Sequence, residues 1–254
     1  MSKHHLLALA LCAVPLVASA QQKPVKPEDT EVWTPVPKII TPGVSSADAP
    51  SDAIRLFDGK NLDEWVSKTN EPAGWTVSRA IMTVNKKAGD IRTKRTFINY
   101  QLHLEWRVPV GVNGSGQARG NSGVYLASTD STGYELQILD SYENATYVNG
   151  QAGSIYKQSA PLANAMRKQG QWQVYDVVWT APTFTTNGTL ASPARVTAFH
   201  NGVLVQNNFV LTGGTEYSGT PVYKAHGAAP ILLQAHGDPS PPISFRNIWI
   251  RELP

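Results

Sequence analysis

A single all-β domain, built as a sandwich or jelly roll, is predicted by three features of this 254-residue chain. Short runs of alternating apolar and polar residues recur between positions 54 and 251, with Gly, Pro and Asn between them. A period of two marks strands buried on one face. Only one stretch reads as a helix, a short one near 162–168. Charged residues make up 16% of the chain against 7 Trp, 9 Tyr, 20 Gly and 18 Pro, a balance suited to an aromatic-rich extracellular β-domain.

At the start, Lys3-His4-His5, an apolar run over 6–17 and Ala18-Ser19-Ala20 read as the three parts of a signal peptide. Residues 1–20 are expected to be removed and the protein exported, to the periplasm or beyond. The apolar run is too short to span a bilayer. Cys12, the one cysteine, lies inside it, so the mature chain has no thiol for catalysis, zinc binding or disulfides. Residues 21–52 read as a Pro-rich linker, because Lys23-Pro24-Val25-Lys26-Pro27 and Trp33-Thr34-Pro35-Val36-Pro37 interrupt helices and central strands alike. The globular domain is predicted over 53–254. The net charge of +3 includes Lys3, and no basic patch marks a nucleic-acid partner.

Within the domain, 101–108 is the cleanest strand. Leu102, Leu104, Trp106 and Val108 share its inner face and His103, Glu105 and Arg107 the other, where His103 and Glu105 either take part in a site or face solvent. Further strands are predicted over 123–127, 134–139, 173–180, 194–200, 203–206, 231–236 and 243–251. His200-Asn201-Gly202-Val203 reads as a hairpin turn, because Asn-Gly accepts the positive φ angles of a tight turn.

The richest segment chemically is Gly133-Tyr134-Glu135-Leu136-Gln137-Ile138-Leu139-Asp140-Ser141. Alternation sets Glu135 and Gln137 on one strand face, and a β-bulge after Gln137 would bring Asp140 beside them. Acid, amide and acid on one face suit a sugar's hydroxyls, or form a solvated strand face. The glycine-rich loop over 114–123 lacks the Gly-Lys-Ser/Thr ending of a phosphate loop, and its Arg119 and Asn121 are candidates to project into a site. Lys157 could stabilise an oxyanion as a fixed cation. Gln234 and His236 share a face, and His236 is a candidate base or ligand. No histidine pair has metal-ligand spacing. A hard cation such as Ca²⁺ is compatible with the Asp and Asn content, although no EF-hand loop occurs.

These blocks together resemble the 3-keto-disaccharide hydrolase domain family, of concanavalin A-like jelly-roll fold. The similarity spans about 56–253. It rests on Leu56-Phe57-Asp58-Gly59-Lys60-Asn61-Leu62-Asp63-Glu64-Trp65, Gly120-Asn121-Ser122-Gly123-Val124-Tyr125 and the Tyr134 to Ser141 strand. It continues through Gly153-Ser154-Ile155-Tyr156, Trp172-Gln173-Val174-Tyr175-Asp176, Leu233-Gln234-Ala235-His236-Gly237 and Phe245-Arg246-Asn247-Ile248-Trp249-Ile250. Ala235 departs from the pattern, which often has an acid there, and parity turns Ala235 away from Gln234 and His236. The resemblance implies cleavage of glycosides oxidised to a ketone at C3, by C2 deprotonation, elimination and hydration. Glu135 or His236 would be the base, with Glu135 favoured, and Arg119 or Lys157 would polarise the ketone. Asn121, Gln137 and Gln234 would bind hydroxyls, and Asp140 would be a partner acid or an anchor for Arg119. The alternatives are a retaining glycosidase with two carboxylates and a lectin-like module using Trp65, Trp75 and Tyr125 as stacking platforms.

Overall fold

The computed structural model describes residues 26–254, so the predicted signal peptide and the start of the predicted linker lie outside the described residues. Residues 26–39 belong to one unit and are extended apart from a 3₁₀ turn over Pro27–Thr30. Ile40–Pro254 forms the second unit, which holds every strand described here.

The strands are β1 (Ile54–Phe57), β2 (Trp65–Ser67), β3 (Thr76–Ser78), β4 (Ile81–Thr83), β5 (Ile91–Thr93), β6 (Tyr100–Arg107), β7 (Ser122–Ser128) and β8 (Gly133–Ile138). They continue with β9 (Gln173–Thr180), β10 (Thr183–Phe184), β11 (Leu190–Ser192), β12 (Arg195–His200), β13 (Val203–Val210), β14 (Leu232–Leu233) and β15 (Ser244–Glu252). An eight-stranded antiparallel sheet runs β13-β12-β9-β6-β15-β4-β3, with β1 also paired to β15. A five-stranded sheet runs β2-β5-β14-β7-β8, and β10 and β11 form a separate ribbon. The architecture is the predicted jelly-roll sandwich.

Alternation along each strand builds the core. Leu102, Leu104 and Trp106 of β6 and Tyr175, Val177 and Trp179 of β9 point inward from the larger sheet, and all are buried. Val124, Leu136, Ile91 and Leu233 meet them from the smaller sheet, aligned by strand register and equally buried. Two tyrosines cross the core. The Tyr175 hydroxyl donates to the backbone carbonyl of Gln137 at 2.7 Å, and that of Tyr100 donates to the carbonyl of Leu126. Each therefore finds the polar partner that a buried phenol requires.

Several sequence expectations change. Trp65 and Trp75 are core residues, donating to the carbonyls of Leu56 and Gly89, and offer no stacking platform. No helix forms at 162–168, where the Asn164 side chain takes up Ser141 O and the amide of Met166 instead. The Asn201-Gly202 turn does join β12 to β13, with φ of 53° and 81°. His103 and Glu105 do not face solvent: both are buried beneath the chain around Ala47, whose carbonyl accepts from Asn247 and Trp249.

Candidate active site

The site is a cleft of about 390 Å³ on the outer face of the five-stranded sheet. Gly123 and Tyr125 of β7 lie directly opposite Gln137 and Glu135 of β8. The chain after β14 brings Gln234 alongside Gly123, whose carbonyl accepts from the Gln234 amide at 3.0 Å. The open edge of β8 is covered by 153–156: Gln137 N donates to Ser154 O, and Tyr156 N to Glu135 O. Tyr147, Tyr156, Lys157, Thr215 and Tyr217 complete the wall with Gln117, Asn121 and His236.

Glu135 is 4% exposed. Burial pushes its carboxyl up to about 8, against a hydrogen bond from Tyr125 that lowers it, while the nearby Asp90 carboxylate adds to the rise. The Tyr125 hydroxyl stands 3.2 Å from Oε2. Gly123 leaves room beside it, since a Cβ there would lie 2.3 Å from Oε1 and push the carboxyl aside. Gln137 donates to Asn121 and Gln117, both at 3.2 Å, and its own Oε1 has no partner among the described residues. Gln234 Oε1 is likewise buried and unpartnered among them. Buried amide oxygens without donors are costly unless something supplies one, and a sugar hydroxyl can.

Lys157 sits in a fence of tyrosines, its Nζ 4.9 Å from the Tyr147 ring centre, 5.3 Å from Tyr217 and 5.9 Å from Tyr156. Cation–π attraction holds it, with no carboxylate paired to it among the described residues. Its backbone has φ of 64° and is pinned by a 2.8 Å bond from its amide to Asn149 O. His236 stands at the rim, with Nδ1 3.2 Å from Asp238 Oδ2. Burial would raise the Asp238 carboxyl, but bonds from His236 and Ser240 and the charge of Lys86 hold it below its usual range.

Two candidates lie elsewhere. Register between β7 and β8 runs unbroken from Tyr125–Glu135 to Ser122–Ile138, so no bulge follows Gln137. Asp140 keeps the inward parity of Ile138 and is fully buried, 2.8 Å from Arg119 Nε, with Gln169 Nε2 donating to it at 2.7 Å. Arg119 also donates to Tyr142 O and lines a separate depression with Glu143 and Lys168. Glu135, Gln137, Asn121, Lys157, Gln234 and His236 do share the cleft. Sequence reasoning passed over Tyr147, Thr215, Tyr217 and Asp238, and reached Gln117, Gly123 and Tyr156 only as members of longer segments. Tyr125 was considered only for stacking, although its alternation with Gly123 on β7 points to the cleft. Ala235 faces away as parity requires, packing on the core while its amide donates to Asp90. Among the described residues, no group of three or more His, Cys, Asp or Glu converges as a metal site.

A two-sheet jelly roll with unsatisfied amides and a buried acid on one sheet face defines a β-sandwich whose polar cleft can take a hydroxyl-rich ligand. Residues 52–251 match the 3-keto-alpha-glucoside-1,2-lyase-like domain, and the chain belongs to that family. The crystal structure of a Parabacteroides distasonis protein provisionally named a glycosyl hydrolase is 54% identical, with a TM-score of 0.85 over 90% of this chain and 97% of that one. A second such structure from the same organism, 23% identical with a TM-score of 0.58, covers 79% of this chain and 99% of its own and shares the fold. A 3-keto-disaccharide hydrolase of Bacteroides thetaiotaomicron is 27% identical over 164 residues, 51% of this chain and 54% of that protein. The chain thus spans about half the length of the curated relative it matches.

Proposed function

We propose that the chain is an exported hydrolase of 3-keto-glycosides, acting by elimination and hydration. The observation that carries this reading is that Glu135 is the single carboxylate lining the cleft among the described residues. A retaining glycosidase needs two carboxyls about 5–5.5 Å apart, whereas Gln137 fills one neighbouring position and Asp140 is turned inward. One base suffices when a ketone at C3 acidifies the C2 proton.

Glu135 takes that proton, and the C–H pair forms the C2–C3 double bond of an enolate with its charge on the C3 oxygen. Lys157, the one lysine or arginine among the lining residues, stabilises that oxygen. The enolate collapses, the C1–O bond breaks, and the departing oxygen takes a proton from His236, which Asp238 orients. Water then adds at C1, giving a proton to His236, while Glu135 returns its proton to C2. Bond making and breaking sum to hydrolysis. The lyase-like family description and the hydrolase name of the Bacteroides protein support the two halves of this sequence.

The test compares a 3-keto-disaccharide with its unoxidised parent, using wild-type protein and Glu135→Gln. Cleavage of the keto form alone, reduced at least about a hundredfold in the variant, is the expected result. Cleavage of the parent would favour ordinary glycosidase chemistry, and binding without turnover of either would favour a lectin-like module.

A further inference from the structure

Tyr125 is neither one of the cleft's amides nor part of the proposed proton-transfer pair, yet the site is built around it. Its ring lies against Gly133, two residues before Glu135 on the same strand face, where a Cβ would stand 2.5 Å from the ring's Cδ1. Glycine at 133 therefore lets the ring lie close on the sheet. The hydroxyl reaches Glu135 Oε2 at 3.2 Å and accepts from Gln234 Nε2 at 3.5 Å, making a chain of polar groups across β8, β7 and the segment that follows β14. The other carboxyl oxygen, Oε1, lies over Gly123 and receives no hydrogen bond among the described residues.

We propose that Tyr125 is the positioning residue for the base, holding Oε2 of Glu135 so that Oε1 is the oxygen presented to the C2 proton. This rests on the reading of Glu135 as that base. A donor on one oxygen fixes the carboxyl's rotation and favours its ionised form against the burial that opposes it. The other groups around the carboxyl act differently. Asp90, just before β5, disfavours ionisation, Thr215 engages the Glu135 backbone, and Lys157, Tyr156 and His236 line the same cleft without bonding to the carboxyl.

The experiment uses Tyr125→Phe, which keeps the ring, and Gly133→Ala, which keeps the hydroxyl but displaces the ring. Folding of both is checked by thermal melting. The Glu135 carboxyl is titrated by ¹³C NMR, and the pH–rate profile is recorded on the 3-keto-disaccharide beside Glu135→Gln. In both variants the titration midpoint and the limb of kcat against pH should move upward by about one pH unit. At pH 7, kcat should fall roughly tenfold, with KM within about twofold. A residue that merely packs would leave both midpoints in place. An unmoved midpoint in Tyr125→Phe while Glu135→Gln is inactive overturns the positioning role alone, whereas full turnover by Glu135→Gln overturns the base and its positioning together.

Discussion

A carboxyl group held near neutrality inside a cleft weighs against the folded protein once it ionises. The Glu135 carboxyl, pushed up to about 8 by burial, lies above its ordinary value of 4.5. The folded state therefore binds the proton more tightly than the unfolded chain does. The stability this confers is complete below about pH 4.5 and is lost as pH rises through about 8. Glu135→Gln escapes that loss, so its Tm advantage over wild type should widen between pH 4.5 and 8 and level off above, as calorimetry across that range would show. Turnover should run the other way, with kcat/KM rising to a plateau above about pH 8 as the base ionises. At this scale the alternation around Glu135 and Gln137 was readable because both lie inside one strand. Asp140 was misplaced because a bulge is set by the partner strand's register, which the segment's own sequence does not contain.

At the scale of elements, the site depends on three short strands in register, with β8 tied through the core to the opposite sheet. The Tyr175 hydroxyl that makes this tie shares the Gln137 carbonyl with the Gly153 amide, so removing it leaves that carbonyl satisfied. Tyr175→Phe should lower the unfolding free energy by only about 1 kcal/mol in urea titration, with the m-value unchanged. Long strands such as β6 and β9 were legible because eight alternating residues outvote local noise. The run predicted over 231–236 yields only the two-residue β14, because Gln234 and the residues after it leave the ladder for the cleft rim. Strands β2 to β5 have three residues each; β2, β4 and β5 pair with partners distant in the chain, and β3 is held, among the described residues, only by its hairpin to β4. The expected helix failed for a related reason, since Asn164 bonds to distant Ser141 and accepts locally from the Met166 amide, and both compete with the i to i+4 pattern.

Across the whole molecule, the face of the larger sheet turned away from the cleft carries a second polar network. His103 Nδ1 lies 2.7 Å from Asp176, Arg246 Nε donates to Glu105 at 2.6 Å, and Trp249 stacks on the His103 ring at 5.2 Å. Burial would raise the Glu105 carboxyl, but bonds from His103, Asn247 and Arg246 bring it down to about 2. That stability is present above the ordinary value of 4.5 and is lost as pH falls through about 2. Glu105→Gln should cost about 1 kcal/mol at pH 7, discounted because Arg246 is 41% exposed. It should also flatten the fall of Tm between pH 4.5 and 2. The sequence concealed this network because the residues covering it, around Ala47, read as linker. The pairing of Ile54 with Ile250, secured by the 2.7 Å contact of Arg251 with Asp52, sets the first strand beside the last. The sheet unit is thus a ring interrupted at one place, and its strand pairing does not depend on where that interruption falls. A short bridge from 254 to 52, with new ends opened at the exposed Asn187–Gly188 turn, would redraw the gene order, keep the Arg251–Asp52 contact and leave every strand beside its present neighbours, giving up only the cover around Ala47.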